Sequence, residues 1–142
     1  MNGFPLEKAK RELAKIVSLS EDDFSIDLEK KKNEIVNYHL QNNTFYKDLI
    51  GNKSIENWTE IPVMKKIHFQ KPLQERLSKG YTKKNVYINK TSGSSGDPMV
   101  FAKDKFCHAL IWVNIMRRFQ WYGLDFNHSW QARFYGMPLD FV

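Results

Sequence analysis

The sequence has little cysteine and no long hydrophobic run, and each absence excludes a class of protein. The single cysteine, Cys107, excludes an intramolecular disulfide framework and fits a reducing compartment, so we expect a cytoplasmic protein. No stretch approaches the roughly 18 apolar residues that a membrane-spanning helix needs. The N-terminal sequence MNGFPLEKAKRELAK lacks the apolar segment of a secretory signal. The sequence therefore predicts no membrane span and no export.

Two common nucleotide-binding motifs are also absent. The chain has no GxGxxG fingerprint of dinucleotide-binding folds. It has no GxxxxGK[ST] sequence, because Gly96 follows Gly93 at the wrong spacing and no lysine comes after it. A standard nucleoside triphosphatase is therefore excluded.

The residues that usually bind metals or act as nucleophiles are scattered. Cys107 and His108 are neighbours on an expected helix, where successive side chains diverge by about 100°. We therefore predict no metal site, and we expect Cys107 to be a small buried residue because no partnered base is evident. The catalytic residues stay unknown from the sequence.

What the chain does contain is typical of a soluble globular protein with one sizeable core. It has 142 residues, of which 42% are hydrophobic and 27% are charged. Its net charge of +6 is unevenly placed: residues 1–58 carry 9 basic and 10 acidic side chains, and residues 59–142 carry 13 basic and 6 acidic ones. The basic part favours an anionic partner, such as a nucleotide, an acyl phosphate or a nucleic acid.

The first part of the chain, residues 1–57, predicts a helical region. Residues 4–17 place apolar side chains three to four positions apart, which indicates an amphipathic helix. Ser20 precedes three acidic residues and is typical of a helix N-cap. A longer helix is expected over about 27–41, with its Lys30–Lys32 triplet on a solvated face.

Shorter elements are expected next. Thr44 predicts the cap of a short helix that Gly51 ends. Residues 58–64 contain a proline and are expected to be extended. A helical pattern resumes over 65–79, and Gly80 closes it.

The rest of the chain predicts strands around one long helix. Residues 86–88 and 99–102 have the β-branched and aromatic composition of strands. Asp104 is expected to cap a helix over roughly 105–122 that is apolar on more than one side. Residues 129–135 alternate as a further strand does. The fold class is therefore α/β, with a helical region over 1–57 and the beginning of a sheet-based unit over 58–142.

The segment between the first two strands, KTSGSSGDPM (90–99), is the strongest functional candidate. Its glycines permit close backbone approach, so that consecutive N–H groups can converge on an anion. Its four hydroxyl side chains add uncharged donors, and Lys90 adds a charge. A flexible linker or an ordinary hairpin loop would use the same residues. A cloning scar is disfavoured because the segment lies between strands. From the residues alone, a phosphate loop and a structural loop both remain open.

Residues 91–98, TSGSSGDP, resemble the phosphate-binding signature TSG[ST][ST]GxP of the adenylate-forming, or acyl-CoA synthetase, superfamily. The phenylacetate–CoA ligase and CapK-like branch carries an IPVxxKxxxQ segment upstream, and Ile61–Lys66 with Gln70 is similar to it. Arg117, Arg118 and Trp121 resemble a helix that follows the loop in that branch, and Tyr135-Gly136 is similar to a later turn. Asp97 and Met99 stand where many members carry lysine, so that charge would come from Lys90, from Lys103 or from elsewhere in the chain.

The resemblance implies an ATP-dependent acid–thiol ligase that forms an acyl-adenylate, with residues 58–142 as the beginning of its adenylation domain. It implies ATP and Mg²⁺ as cofactors, coenzyme A as the acyl acceptor, and a carboxylic acid substrate that the branch suggests to be aryl. The implied nucleotide-binding residues are Thr91, Ser92, Gly93, Ser94, Ser95 and Gly96. The family's later motifs are absent, so we expect a fragment that is inactive alone. A sheet cut part-way leaves unpaired edges that invite association, so a homodimer is expected.

A non-enzymatic alternative is a nucleic-acid-binding module. Stacking aromatic side chains next to arginines would provide its surface. We expect these aromatics to lie mostly in the core instead, and therefore no nucleic-acid partner. The residues concerned are Trp112, Arg117, Arg118, Trp121, Tyr122 and Trp130.

Overall fold

The computed structural model describes residues 3–51, 55, 57–91, 98–130 and 132. Within them the chain forms five α-helices and one two-stranded antiparallel sheet, which agrees with the coarse α/β expectation. The elements are α1 (Leu6–Val17), α2 (Glu21–Asn42), α3 (Thr44–Ile50), α4 (Leu73–Arg76), β1 (Val86–Lys90), β2 (Val100–Asp104) and α5 (Lys105–Trp121), with 3₁₀ turns at Trp58–Glu60 and Lys66–Gln70.

The hydrophobic core lies where α1 packs against α5. Ala9 on α1 and Ala109 on α5 are both completely buried, and Val113 is buried beside them. Alanine at the contact lets two helices approach closely, because the distance between helix axes depends on the side chains between them. Larger side chains surround this contact and are only partly buried: Phe4, Leu6, Leu13, Phe106 and Leu110. The core thus joins the first part of the chain to the last described helix.

The two strands form a hairpin whose faces have different neighbours. Val86 pairs with Asp104 and Lys90 with Val100, so alternate residues from both strands share one face. On one face, Tyr87 stacks on His108 of α5 with ring centroids 3.7 Å apart. On the other face, Leu73 and Arg76 of α4 line a cavity together with Val100. Arg76 also donates a hydrogen bond of 2.7 Å to the Val100 carbonyl. The hairpin therefore lies between α5 and α4.

A polar junction ties the end of α2 to the segment that follows α4. Asn43 is buried, and its amide nitrogen donates to the Arg76 carbonyl and to the Ser78 hydroxyl, both at 3.0 Å. Its amide oxygen accepts the Tyr46 N–H at 2.8 Å and so caps α3. The Ser78 hydroxyl lies 3.3 Å from Nδ1 of His39. These contacts satisfy the buried polar groups at a helix end, which would otherwise cost free energy.

The start of α2 follows the local signals, although the helix is longer than expected. The Ser20 side chain accepts the Asp23 N–H, which confirms the predicted cap. The helix runs unbroken from that cap instead of starting near residue 27. Lys31 pairs with Asp27 and with Glu12 of α1, and the neighbouring lysines pair with acids on α2 itself. The triplet is a solvated, ion-paired face, as predicted.

Three expectations for the middle of the chain were wrong in detail. The cap of α3 is Asn43, which precedes the predicted Thr44. Residues 58–64 are not wholly extended, because Trp58–Glu60 forms a 3₁₀ turn. The helix predicted over 65–79 is divided into a 3₁₀ turn and the four-residue α4. Pro72 separates them, since proline disfavours helical backbone at the residue before it, and Lys71 is extended with ψ at 147°.

The second half follows its predictions more closely. Both strands exist, and each extends two residues beyond the expected end. The Asp104 carboxylate accepts the Cys107 N–H at 2.6 Å and caps α5 as predicted. The strand predicted over 129–135 is absent at Ser129 and Trp130, because Ser129 closes a turn on Asp125. Residues 131 and 133–135 lie outside the described residues.

Across the described part of the chain, no helix combines the length and the apolar character needed to cross a membrane.

The polar junction predicts a large difference between two adjacent asparagines. Asn43→Ala should lower the free energy of unfolding by about 2–3 kcal/mol, because it removes a helix cap and strands buried polar partners. Asn42→Ala is the matched control: its side chain only donates to the exposed Tyr38 carbonyl, and its loss should cost less than about 0.5 kcal/mol. Urea unfolding of both variants measures the difference. Equal losses of unfolding free energy in the two variants would contradict the stabilising role of the Asn43 contacts.

Two histidines predict that stability falls in mild acid. Burial lowers the pKa of His39 and of His108, because it disfavours the imidazolium in the folded chain. The unfolded chain then binds more protons from about pH 6.5 down to the lowered folded pKa values, so stability is lost as the pH falls through that window. Urea midpoints at pH 7.5 and 5.5 should differ more in the natural chain than in the His39→Gln/His108→Gln variant. If the urea midpoint changed equally with pH in both chains, the acid sensitivity would not come from these two histidines.

Candidate functional site

The candidate loop is closed at its neck by two hydrogen bonds. Thr91 donates its backbone N–H to the Met99 carbonyl at 3.0 Å, and the Met99 N–H donates to the Thr91 hydroxyl at 2.9 Å. The neck continues the pairing of Lys90 with Val100, so the two strands deliver both ends of the loop to one place. A segment closed between paired strands is a hairpin loop and not a linker between independent units.

Only one of the predicted nucleotide-binding residues lies in the described part of the chain. Thr91 is at the neck, where its hydroxyl accepts the Met99 N–H and keeps its own proton to donate. The other predicted nucleotide-binding residues lie outside the described residues: Ser92, Gly93, Ser94, Ser95 and Gly96.

The structure separates the two lysines that could supply charge to the loop. Lys90 ends β1 directly beside the neck, on the hairpin face that it shares with Val100. Lys103 is opposite Tyr87 near the far end of the hairpin, and its ammonium lies 5.5 Å over the Phe101 ring. Lys90 is therefore the one of these two lysines that is adjacent to the loop.

A cavity of about 660 Å³ opens beside the loop neck, and we refer to it as the basic pocket. Segment 69–76 forms one side, the Lys90 face of the hairpin forms another, and Pro98 borders it at the exit of the loop. The described residues that line it include no carboxylate. Its cationic side chains are Lys71, Arg76, Lys83 and Lys90, and its apolar side chains include Phe69, Leu73, Ile88 and Val100.

Arg76 is the best-fixed cation of the basic pocket. Its Nε donates to the Lys71 carbonyl at 2.9 Å, and its Nη2 donates to the Val100 carbonyl at 2.7 Å. Its guanidinium carbon lies 5.7 Å from the centre of the Phe69 ring. Partial burial lowers the pKa of Arg76, because the charged guanidinium is removed from water. Both hydrogen-bond partners are carbonyls, so they orient the guanidinium without neutralising it.

The structure brings some of the sequence-predicted residues together. Gln70, from the segment similar to IPVxxKxxxQ, lines the basic pocket with Lys90 and Pro98. Val63 of the same segment is 83% exposed, so the segment does not line the basic pocket as a whole. Arg76 and Lys83 were missed by the sequence reasoning. No local pattern marks Arg76, because its contact with Val100 spans 24 positions.

Several side chains expected in the core are on the surface. Cys107 is exposed and not buried, because it lies on the side of α5 opposite Ala109 and near the capping Asp104. Trp121 is 63% exposed and Tyr122 is 80% exposed, since the helix ends there. Trp130 is fully exposed. Trp112 is partly buried and donates its indole N–H to His108.

Among the residues that the structure describes, no group of three or more His, Cys, Asp or Glu side chains is placed to hold a metal ion. An Mg²⁺ ion that accompanies a nucleotide takes its ligands largely from phosphate oxygens and water. Mg²⁺ thus stays a prediction, and its ligands would come mainly from the bound nucleotide and water.

Comparison with family models, with curated proteins and with solved structures finds no match to this chain.

Proposed function

We propose that residues 91–98 hold the phosphates of ATP, and that the chain is the N-terminal part of an ATP-dependent acid–thiol ligase that forms an acyl-adenylate. The observation that carries the proposal is the closed neck formed by Thr91 and Met99. It holds the two ends of the glycine- and serine-rich segment together, so the segment joins paired strands and is not a linker between independent units. Its glycines and hydroxyls are the donors that an anion-binding loop uses. The reaction, formation of an acyl-adenylate from ATP, is proposed from the resemblance of TSGSSGDP to the adenylate-forming signature.

The cations around the neck support this assignment. Lys90 adjoins the loop, and the basic pocket adds further positive charge with no carboxylate among its described lining residues. When the acid attacks ATP, negative charge moves onto the departing pyrophosphate, and donors fixed in advance stabilise that charge. In this proposal the backbone and hydroxyls of 91–96 supply those donors, and Lys90 takes the part of the lysine that Asp97 and Met99 do not provide.

The substrates follow from the resemblance. The proposed enzyme takes a carboxylic acid of aryl type, with coenzyme A as the acyl acceptor and Mg²⁺ accompanying ATP. It functions in the cytoplasm. The adenylation domain that begins at residue 58 is part of the same proposal, as is association into a homodimer.

The proposal predicts ATP binding that depends on the loop. Isothermal titration of the 142-residue chain with MgATP should show binding, whereas adenosine, which lacks phosphates, should not bind. Ser94→Leu should weaken MgATP binding at least tenfold, because one charge-assisted hydrogen bond is worth about 1.5–3 kcal/mol and 1.4 kcal/mol is tenfold. Ser18→Leu, at the exposed end of α1, is the control and should bind MgATP as the natural chain does. Binding that survives Ser94→Leu would refute the loop's role.

One observation favours the alternative of nucleic-acid binding. The Arg117 guanidinium lies 5.4 Å over the ring of Trp121, and that ring is largely exposed. An exposed aromatic ring with a stacked arginine is suited to a nucleic-acid base.

A gel shift with a short single-stranded oligonucleotide at 50 and 200 mM salt tests the alternative. If it is right, Trp121→Ala should weaken binding at least fivefold, in line with about 1–3 kcal/mol for one stacked base. Trp58→Ala is the matched control, because Trp58 is also half exposed with a lysine, Lys32, over its ring. Equal effects of the two variants, or no shift at 50 mM salt, would eliminate it.

A further inference from the structure

The basic pocket has the features of a small-molecule site in its own right. Its volume of about 660 Å³ falls in the range of about 300–1,000 Å³ that is typical of such sites. It is built from three separate parts of the chain: segment 69–76, the turn at Lys83, and the hairpin. None of these parts belongs to the loop residues 92–97. An inference about the pocket can therefore stand whether or not the loop holds ATP.

The charge of the pocket calls for an anion. Four cationic side chains converge on it, and no ion pair joins any of them to a carboxylate within the described residues. Arg76 is removed from water in part and is held only by neutral carbonyls. The ammonium of Lys71 lies 5.6 Å over the Phe45 ring, a contact that leaves its charge in place. A partly buried cation without a counter-charge is costly, and a bound anion would offset that cost.

The number of charges and the apolar wall narrow the class of ligand. A carboxylate offers one negative charge to four cations, whereas a phosphate monoester carries about −1.5 to −2 near pH 7 and three acceptor oxygens. A guanidinium in a fixed orientation suits the planar, paired contacts that phosphate oxygens accept. Phe69, Leu73 and Ile88 give the cavity an apolar side that a bare inorganic ion would leave in contact with water.

We propose that the basic pocket binds a phosphate monoester with an apolar or aromatic body. The phosphate contacts Arg76 and the lysines, and the body lies against Phe69, Leu73 and Ile88. The pocket shares Lys90 and Pro98 with the base of the loop, but its other described lining residues lie outside 91–98, so the proposal does not depend on ATP binding there.

Three small probes test the ligand class by isothermal titration of the 142-residue chain. Phenyl phosphate carries both features, inorganic phosphate lacks the ring, and benzoate has the ring with a single charge. Phenyl phosphate should bind at least tenfold tighter than either of the others. If benzoate bound as tightly as phenyl phosphate, the pocket would be a site for simple carboxylic acids. If inorganic phosphate bound as tightly, the pocket would recognise the anion alone. Either result would overturn the proposal, as would no binding of phenyl phosphate at millimolar concentration.

Two adjacent lysines test the location. Lys83→Gln should weaken phenyl phosphate binding about tenfold, because Lys83 lines the pocket. Lys84→Gln removes the same charge one position away, outside the lining, and should change affinity less than twofold. Equal effects would mean that only the general positive field attracts the probe. Neither lysine takes part in a hydrogen bond of its side chain with the described residues, so both variants should fold.

A final comparison separates the pocket from the loop. Ser94→Leu should leave phenyl phosphate binding unchanged, and Lys83→Gln should weaken it, because Lys83 lines the pocket and is distant in sequence from the loop. Amide chemical shifts should change at 69–76, 83 and 88–90 when phenyl phosphate is added. Shifts confined to 91–98 would place the anion on the loop and overturn the pocket proposal. Loss of MgATP binding in Ser94→Leu with phenyl phosphate binding retained would support both sites independently.

Discussion

The arrangement around the loop depends on one run of hydrogen bonds that passes through Arg76. Asn43 at the end of α2 donates to the Arg76 carbonyl, and the Arg76 side chain donates to the Val100 carbonyl. Val100 is paired with Lys90, the last residue before the loop neck. A backbone group, a side chain and a strand pair thus connect the helical part of the chain to the base of the loop. The same arginine fixes the hairpin and presents its charge to the basic pocket.

These polar contacts matter because the hydrophobic core is small. The residues that are completely buried, Ala9 and Ala109, are alanines, and each removes little apolar surface from water. The core joins α1 to α5 and reaches the hairpin through Tyr87 and His108. The end of α2 and α4 are outside it. Buried apolar side chains on these elements, such as Leu73 of α4, act there together with the hydrogen bonds of Asn43 and Arg76. The buried asparagine is tolerated because its amide group is hydrogen-bonded.

Local signals predicted some of the helix caps, and contacts between distant residues decided much of the rest. Ser20 and Asp104 cap their helices as expected, because a cap needs only a side chain and an N–H three residues on. The helix expected over 65–79 is interrupted at Pro72. The prediction followed the helical spacing of the apolar residues and gave too little weight to this proline. Arg76 could not be found in advance, since an arginine that contacts a carbonyl 24 positions away has no periodic pattern. The exposure of Trp121 depends on where the helix ends and on what packs there.

The uneven charge of the sequence has different consequences in its two halves. The lysines of α2 have acids three or four positions away, so each positive charge is balanced within the helix or by Glu12 of α1. Of the four cations that the fold collects at one cavity beside the loop, only Lys71 has an acid at such a spacing, Glu75, and no ion pair joins these two described residues. The same residue type is thus neutralised on one surface and concentrated on another. An anion that entered this cavity would meet a guanidinium already oriented by two carbonyls, so little further ordering of that side chain would be needed on binding.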